Sequence, residues 1–124
     1  MDQQKYDELL AYCLSYSQKP EDDIQLWIII DKVSEALGLN SRKMTVVQAE
    51  ELWAGMTKLI TMMLQNGFIA FDFVRRFERQ PWAEQDPKQV MAKIRNKWVE
   101  YKGEFPNVGF IVWFQNTKAQ GKHV

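Results

Sequence analysis

The sequence predicts a mainly helical α+β domain, with four to five helices around one core and a small two-stranded antiparallel element. Apolar residues recur at three- and four-residue steps in several segments, which is the period of a helix buried on one side. Capping residues, prolines and glycines separate these segments. Two further runs of branched and aromatic residues have the composition of strands. A chain of 124 residues is the usual size of a single domain, here expected to span 1–124.

The first helix is expected over residues 2–18, with Leu9 and Cys13 among the apolar residues on one face. Pro20 ends it and fits the first turn of a second helix, where its missing N–H costs nothing. Gly38 stops that second helix, since glycine readily adopts the left-handed conformation of a helix cap.

On this interpretation the second helix begins with Glu21, Asp22 and Asp23, because acids favour the positive end of a helix dipole. Its apolar run at residues 26–30 also has the composition of a buried strand. A helix is preferred, because the apolar period continues to Leu37 without a turn signal.

Two later helices have clear starting signals. Thr45 and Gln48 match a capping box and open the longest helix, of about 20 residues, which ends at residues 66–67. Asp86 followed by Pro87 opens another helix, as a capping acid with proline in the first turn.

The strand assignments are less local. Residues 68–74 are compatible with a short strand and equally with an approach to a helical turn through 75–79. Residues 108–115, rich in branched and aromatic side chains, are most naturally a strand. Because a lone strand leaves its backbone groups unpaired, residues 68–73 are its expected partner.

The sequence has few of the residues from which active sites are built. His123 is the only histidine and Cys13 the only cysteine, so neither a standard zinc site nor a Ser-His or Cys-His pair on an ordered element is expected. The six glycines never cluster into a phosphate-binding loop. Adjacent acids such as Glu50 and Glu51 diverge by about a quarter turn on a helix. We therefore expect no enzyme, no metal and no cofactor; catalysis by carboxylates alone is the least favoured alternative.

Charge and hydropathy bear on location and partners. The start of the chain is acidic, and no apolar run approaches the roughly 20 residues of a membrane span, so a cytoplasmic protein without membrane contact is expected. The formal net charge is zero, but residues 1–31 hold seven acids against two lysines. Residues 75–102 hold eight Lys or Arg against four acids. This asymmetry is compatible with solvated helix surfaces and with a charged interface.

Residues 113–116, Trp-Phe-Gln-Asn, resemble the recognition-helix core of homeodomains. The match stops there, because Thr117 follows and only Lys118 and Lys122 lie beyond, where that family has several basic residues. Phosphate neutralisation provides much of the affinity of such domains. We expect no nucleic-acid partner and a strand at these residues.

Four of the five tryptophans lie on or near an apolar stripe and are expected in the core: Trp27, Trp53, Trp98 and Trp113. Trp82 differs, since it follows Pro81 in a polar segment with Phe77 and three arginines nearby. An exposed aromatic residue with arginines around it is typical of an interface hot spot. Packing of Trp82 over the loop is equally compatible with the sequence.

Three features occur together in the central half of the chain: a long amphipathic helix ending at 66–67, Phe-Ile-Ala-Phe-Asp at 68–72, and 86–87 opening a helix that contains Ile94 and Trp98. This pattern resembles small bacterial domain-of-unknown-function proteins found beside polymorphic or contact-dependent toxins, where they serve as immunity proteins. The resemblance implies a cytoplasmic, non-catalytic protein that binds and neutralises a cognate toxin, often a nuclease.

The expected partner-binding residues form an acidic and an aromatic set: Glu21, Asp22, Asp23, Asp31, Phe77 and Trp82. An acidic surface imitates nucleic acid and speeds association with a basic toxin. The alternative function is a regulatory or scaffold protein that uses residues 68–82 to bind another protein or itself.

Overall fold

The computed structural model describes residues 1–19, 21–40, 42–75, 78–100 and 111–118, and within them the chain forms four helices and a four-stranded antiparallel sheet. The α+β class is confirmed, and the sheet has four strands where two were expected. The elements are α1 (Gln3–Tyr16), β1 (Ile24–Gln25), α2 (Leu26–Leu37), α3 (Val46–Gln65), β2 (Phe68–Arg75), β3 (Glu78–Pro81), α4 (Pro87–Glu100) and β4 (Trp113–Asn116).

Two predicted helix caps are confirmed, at the start of α3 and at the end of α2. The Thr45 hydroxyl accepts from the Gln48 N–H at 3.1 Å, and the Gln48 side-chain oxygen accepts from the Thr45 N–H at 3.0 Å. This reciprocal pair satisfies two of the N–H groups that a helix start leaves free. At the C-terminal end of α2, Gly38 caps the helix in the left-handed conformation, with a φ of 69°.

The start of α2 was predicted wrongly. The helix begins at Leu26, after Ile24 and Gln25 have formed β1 against β4. Ile24 is fully buried opposite Phe114, so burial within the sheet outweighs the weak preference of the preceding acids for a helix N-terminus. The helical assignment of residues 26–30 is confirmed.

The sheet has the order β1-β4-β2-β3. β4 pairs with β2 as expected, with Phe114 opposite Ala70. The helical alternative for residues 75–79 is wrong, because β3 occupies part of that segment. Residues 108–110 of the predicted last strand lie outside the described residues.

Beyond the end of β3, a side chain makes hydrogen bonds to β2 in place of a further strand residue. The Gln85 amide accepts from the Ala70 N–H and donates to the Ala70 carbonyl, each at 2.8 Å. It therefore satisfies backbone groups of β2 that lie just past the last residue pair of the β2–β3 ladder, between Phe71 and Pro81.

One face of the sheet belongs to the main core. Phe68, Ala70 and Phe114 alternate onto this face and are buried in one cluster with residues of the helices, such as Leu59 and Ile94. Asn116, also buried, donates to the Ser17 carbonyl at 3.4 Å and accepts from the Lys118 N–H at 3.0 Å. The homeodomain-like residues therefore lie in a strand of the sheet, as expected.

The other face carries aromatic residues. Phe73 contacts Phe71 and Trp113 edge-on, with ring centroids 5.1 and 5.0 Å apart. The Arg79 guanidinium lies over Phe71 and Phe73 at 5.6 and 5.9 Å from the ring centres. These contacts bring Arg79 across the sheet towards the segment that precedes β1.

Candidate functional site

Of the six residues expected to bind a partner, the structure describes five, and these differ in how far they are exposed. Glu21 is exposed and Asp22 half-buried in the segment before β1, and Asp31 is exposed on α2. Phe77 lies outside the described residues. Asp23 and Trp82 are both directed into the molecule.

Asp23 makes an internal ion pair. Its Oδ2 accepts from the Nε and Nη2 of Arg79 at 3.0 and 2.9 Å, and its side chain is only 9% exposed. The other oxygen, Oδ1, is buried without a hydrogen-bond partner among the described residues. Burial raises the pKa of Asp23, and Arg79 opposes this rise. Asp23 therefore joins the start of β1 to β3, and the expectation that it forms part of an exposed acidic surface is wrong.

Trp82 packs inside the fold. It is 4% exposed, and its backbone N–H donates to the Ala70 carbonyl at 3.0 Å. The ammonium groups of Lys93 and Lys97 lie 4.4 and 5.3 Å from the centre of its ring. Of the two sequence alternatives, packing is confirmed, and the exposed hot spot is wrong.

The lysines around Trp82 are themselves neutralised. Lys97 pairs with Asp72 at 2.7 Å, and Lys93 pairs with Glu84 at 3.3 Å. The basic excess of this part of the sequence is thus partly used in holding α4 against the sheet.

Trp27, by contrast, faces solvent. It lies at the start of α2 with 51% of its surface exposed, so its expected place in the core is wrong. Asp31 and Glu35 follow at four-residue steps and are exposed as well, which places the three side chains along one side of the helix. We call Trp27, Asp31 and Glu35 the α2 stripe.

The α2 stripe continues onto α1 through Lys32. The Lys32 ammonium is 3.8 Å from the Glu35 carboxylate and 4.6 Å from the centre of the Tyr12 ring. Tyr12 in turn contacts Tyr16, which is exposed, with ring centroids 6.1 Å apart. The surface thus combines acids with several aromatic rings.

The Cys13 thiol is buried and lies outside the α2 stripe. Burial raises the pKa of the Cys13 thiol to about 12, so the thiol is protonated at neutral pH. Within the described residues, no three His, Cys, Asp or Glu side chains come close enough together to hold a metal ion. None of the described helices combines the length and apolar character that crossing a bilayer requires.

No protein-family model, curated protein or solved structure matches this chain. Function is therefore inferred from the geometry and charge of the surface.

Proposed function

We propose that this chain is a non-catalytic protein-binding domain of the immunity type, which binds a basic partner protein through the α2 stripe and through Glu21, which is exposed in the segment before β1. The exposure of Trp27 beside two acids is the observation that supports this proposal. A large aromatic side chain in water loses unfavourable contact with solvent when a partner covers it, and tryptophan is enriched among residues that dominate binding energy.

The acids fit a basic partner. Glu21 and Asp31 are exposed and have no ion-pair partner among the described residues. Unpaired acids at the edge of an interface attract a positively charged surface and raise its association rate, with an effect that salt screens. The expected toxin of an immunity protein, often a nuclease with a basic substrate site, presents such a surface.

The test is a kinetic measurement of binding to the product of the neighbouring toxin gene at several salt concentrations. Replacing Glu21 and Asp31 by Ala should slow association and flatten its dependence on salt. The matched control replaces Glu51 and Glu100, two exposed acids on α3 and α4, and changes the net charge equally. Equal effects of the two double variants would show that only net charge matters.

Trp27→Ala separates contact from steering. It should increase dissociation and weaken binding by about 2 kcal/mol, or roughly 30-fold, with little effect on the association rate. Val74→Ala removes an exposed apolar side chain from β2 and serves as control. Unchanged affinity in Trp27→Ala would place the interface elsewhere, and no binding by the wild type would contradict the immunity proposal.

The scaffold alternative has less support from the fold. Much of the apolar surface in its expected interface, residues 68–82, is internal, including Phe71 and Trp82. Within the described sheet β3 is the edge strand that belongs to this interface, and it contains Pro81 and charged residues, which discourage pairing with another copy. A dimer in sedimentation experiments that is lost on substitution in β3 would favour self-association instead.

A further inference from the structure

A second surface lies between two helices that take no part in the α2 stripe. The first half of α3 and the second half of α4 enclose a groove of about 450 Å³. Side chains from both helices line it, including Val46, Glu50 and Trp53 from α3 and Arg95, Trp98 and Val99 from α4.

The groove has an ordered aromatic base. The rings of Trp53 and Trp98 meet edge-on with centroids 6.2 Å apart, and Trp98 is buried. The Arg95 guanidinium lies over the Trp53 ring, 4.4 Å from its centre. Tryptophan and arginine held in place by packing are typical of binding hot spots, because little side-chain entropy is lost when a partner binds.

The rims of the groove are low and apolar. Val46 is 76% exposed and Val99 is 73% exposed, so neither side chain is covered by a wall. A small molecule needs a pocket that buries most of its surface, which these rims do not provide. An occupant that covers both valines must extend beyond the groove onto its rims. A segment of protein is large enough to do so, and we therefore favour it over a small molecule.

We propose that the groove binds an amphipathic helix of a partner protein. Its walls are helix side chains, and the Thr45 capping box satisfies two of the N–H groups at the start of α3, so the groove offers no row of backbone groups for a strand to pair with. A segment that binds here must satisfy its own backbone hydrogen bonds, as a helix does. Apolar residues at helical spacing would then contact the indoles and the valines.

The charges of the groove set the orientation of that helix. Glu50 stands on the α3 wall and Arg95 on the α4 wall, and neither has an ion-pair partner among the described residues. A bound helix should therefore carry basic residues on the flank that faces Glu50 and acidic residues on the flank that faces Arg95. This prediction concerns α3 and α4 only, and it stands or falls independently of the α2 stripe.

The experiment is a selection from a displayed library of randomised peptides of about 16 residues, long enough for four helical turns. Peptides are selected on the wild-type protein and counter-selected on V46E/V99E, which places two charges on the apolar rims. Enriched peptides should have apolar residues at steps of three and four, with basic and acidic residues on opposite flanks. Fluorescence anisotropy should show that V46E/V99E binds them at least about tenfold more weakly.

The matched control is V47E, because Val47 is exposed beside Val46 and is not among the residues that line the groove. It should bind the selected peptides as the wild type does. Thermal unfolding establishes whether each variant is folded. If V46E/V99E does not fold, an exchange of the two wall charges, E50K/R95E, still tests the groove.

Exchanging the two wall charges gives the sharper test. E50K/R95E leaves the net charge unchanged, should lose the selected peptides, and should bind peptides whose flank charges are exchanged. E51K/K88E makes the same exchange at exposed residues of the same helices outside the groove lining and should behave as the wild type. Proline-rich or patternless peptides, a lack of peptides that distinguish the wild type from V46E/V99E, or binding indifferent to the charge exchange would each overturn the proposal.

Discussion

Two opposing effects act on the pKa of the Asp23 carboxylate. One oxygen receives two hydrogen bonds from Arg79, whereas the other is buried without a hydrogen-bond partner among the described residues. An ion pair stabilises the charged carboxylate, and burial destabilises it. Burial is the larger effect here, so the pKa of Asp23 is raised.

This balance predicts how stability changes with pH. Because its pKa is higher in the folded chain than the ordinary value of about 3.9, Asp23 stabilises the fold below that value and loses this contribution as pH rises through the raised pKa. Asn at this position does not titrate. The free energy of unfolding of the wild type, relative to Asp23→Asn, should therefore fall as pH rises above about 3.9.

Urea titrations at several pH values measure this difference. Asp31→Asn, at an exposed acid on α2, is the control for removing one carboxylate. A difference that grows with pH would mean that the ion pair with Arg79 outweighs burial and lowers the pKa.

Single residues also show where sequence analysis fails. The five consecutive apolar residues at 26–30 surround the whole circumference of a helix, so periodicity alone does not fix which one faces solvent. The fold exposes Trp27 and buries Ile28 to Ile30. The four-residue spacing of Trp27, Asp31 and Glu35 was the available signal, since it groups the tryptophan with acids.

At the scale of elements, helices were predicted well and short strands poorly. α1, α3 and α4 carry their apolar period and their N-terminal capping residues within the local sequence; these residues are Asp2, Thr45 and Asp86. β1 has two residues and β3 reads Glu-Arg-Gln-Pro, so neither has a local strand signal. Both exist because β4 and β2 provide hydrogen-bond partners that are distant in sequence.

The groove was likewise invisible in the sequence. Val46 and Val99 lie beside the apolar stripes of their helices, and their exposure depends on how α3 and α4 pack together. Glu50 and Arg95 look like ordinary solvated charges until the fold places them on opposite walls.

Packing between α2 and α3 depends on a glycine. Gly55 is buried inside α3, and a Cβ there would lie 2.7 Å from Cγ1 of the fully buried Val33 on α2. Alanine in a helix is ordinarily about 1 kcal/mol more favourable than glycine. Here the branched Val33 side chain has little freedom to move away, so we expect Gly55→Ala to destabilise the fold.

A double-mutant cycle checks the cause. Val33→Ala alone should destabilise the fold by leaving a cavity. The double variant should lose less stability than the sum of the losses measured in the two single variants, because the smaller alanine at position 33 leaves room for the added Cβ at position 55. Additive losses, or a gain of stability in Gly55→Ala alone, would show that the helices separate easily at this point.

The whole molecule is organised around α3. This helix contacts α1, α2, α4 and β2, so every layer of the fold depends on its position. The acidic segment 1–31 and the basic segment 75–102 also contact each other in the folded chain, through the Asp23–Arg79 ion pair. A chain with zero net charge thus combines internal pairing with exposed acids on α2.

The central place of α3 predicts a single cooperative unfolding transition. Leu59 is fully buried near the middle of the helix, and Leu59→Ala should cost about 2 to 5 kcal/mol through lost apolar contact and an unfilled cavity. Val47→Ala, at an exposed position of the same helix, should change stability by less than about 0.5 kcal/mol. Circular dichroism reports the helices and tryptophan fluorescence reports the packing, and in Leu59→Ala both should shift to the same lower urea midpoint. Separate midpoints would show that the sheet and the helices unfold independently, and a loss below about 0.5 kcal/mol would contradict the assigned core.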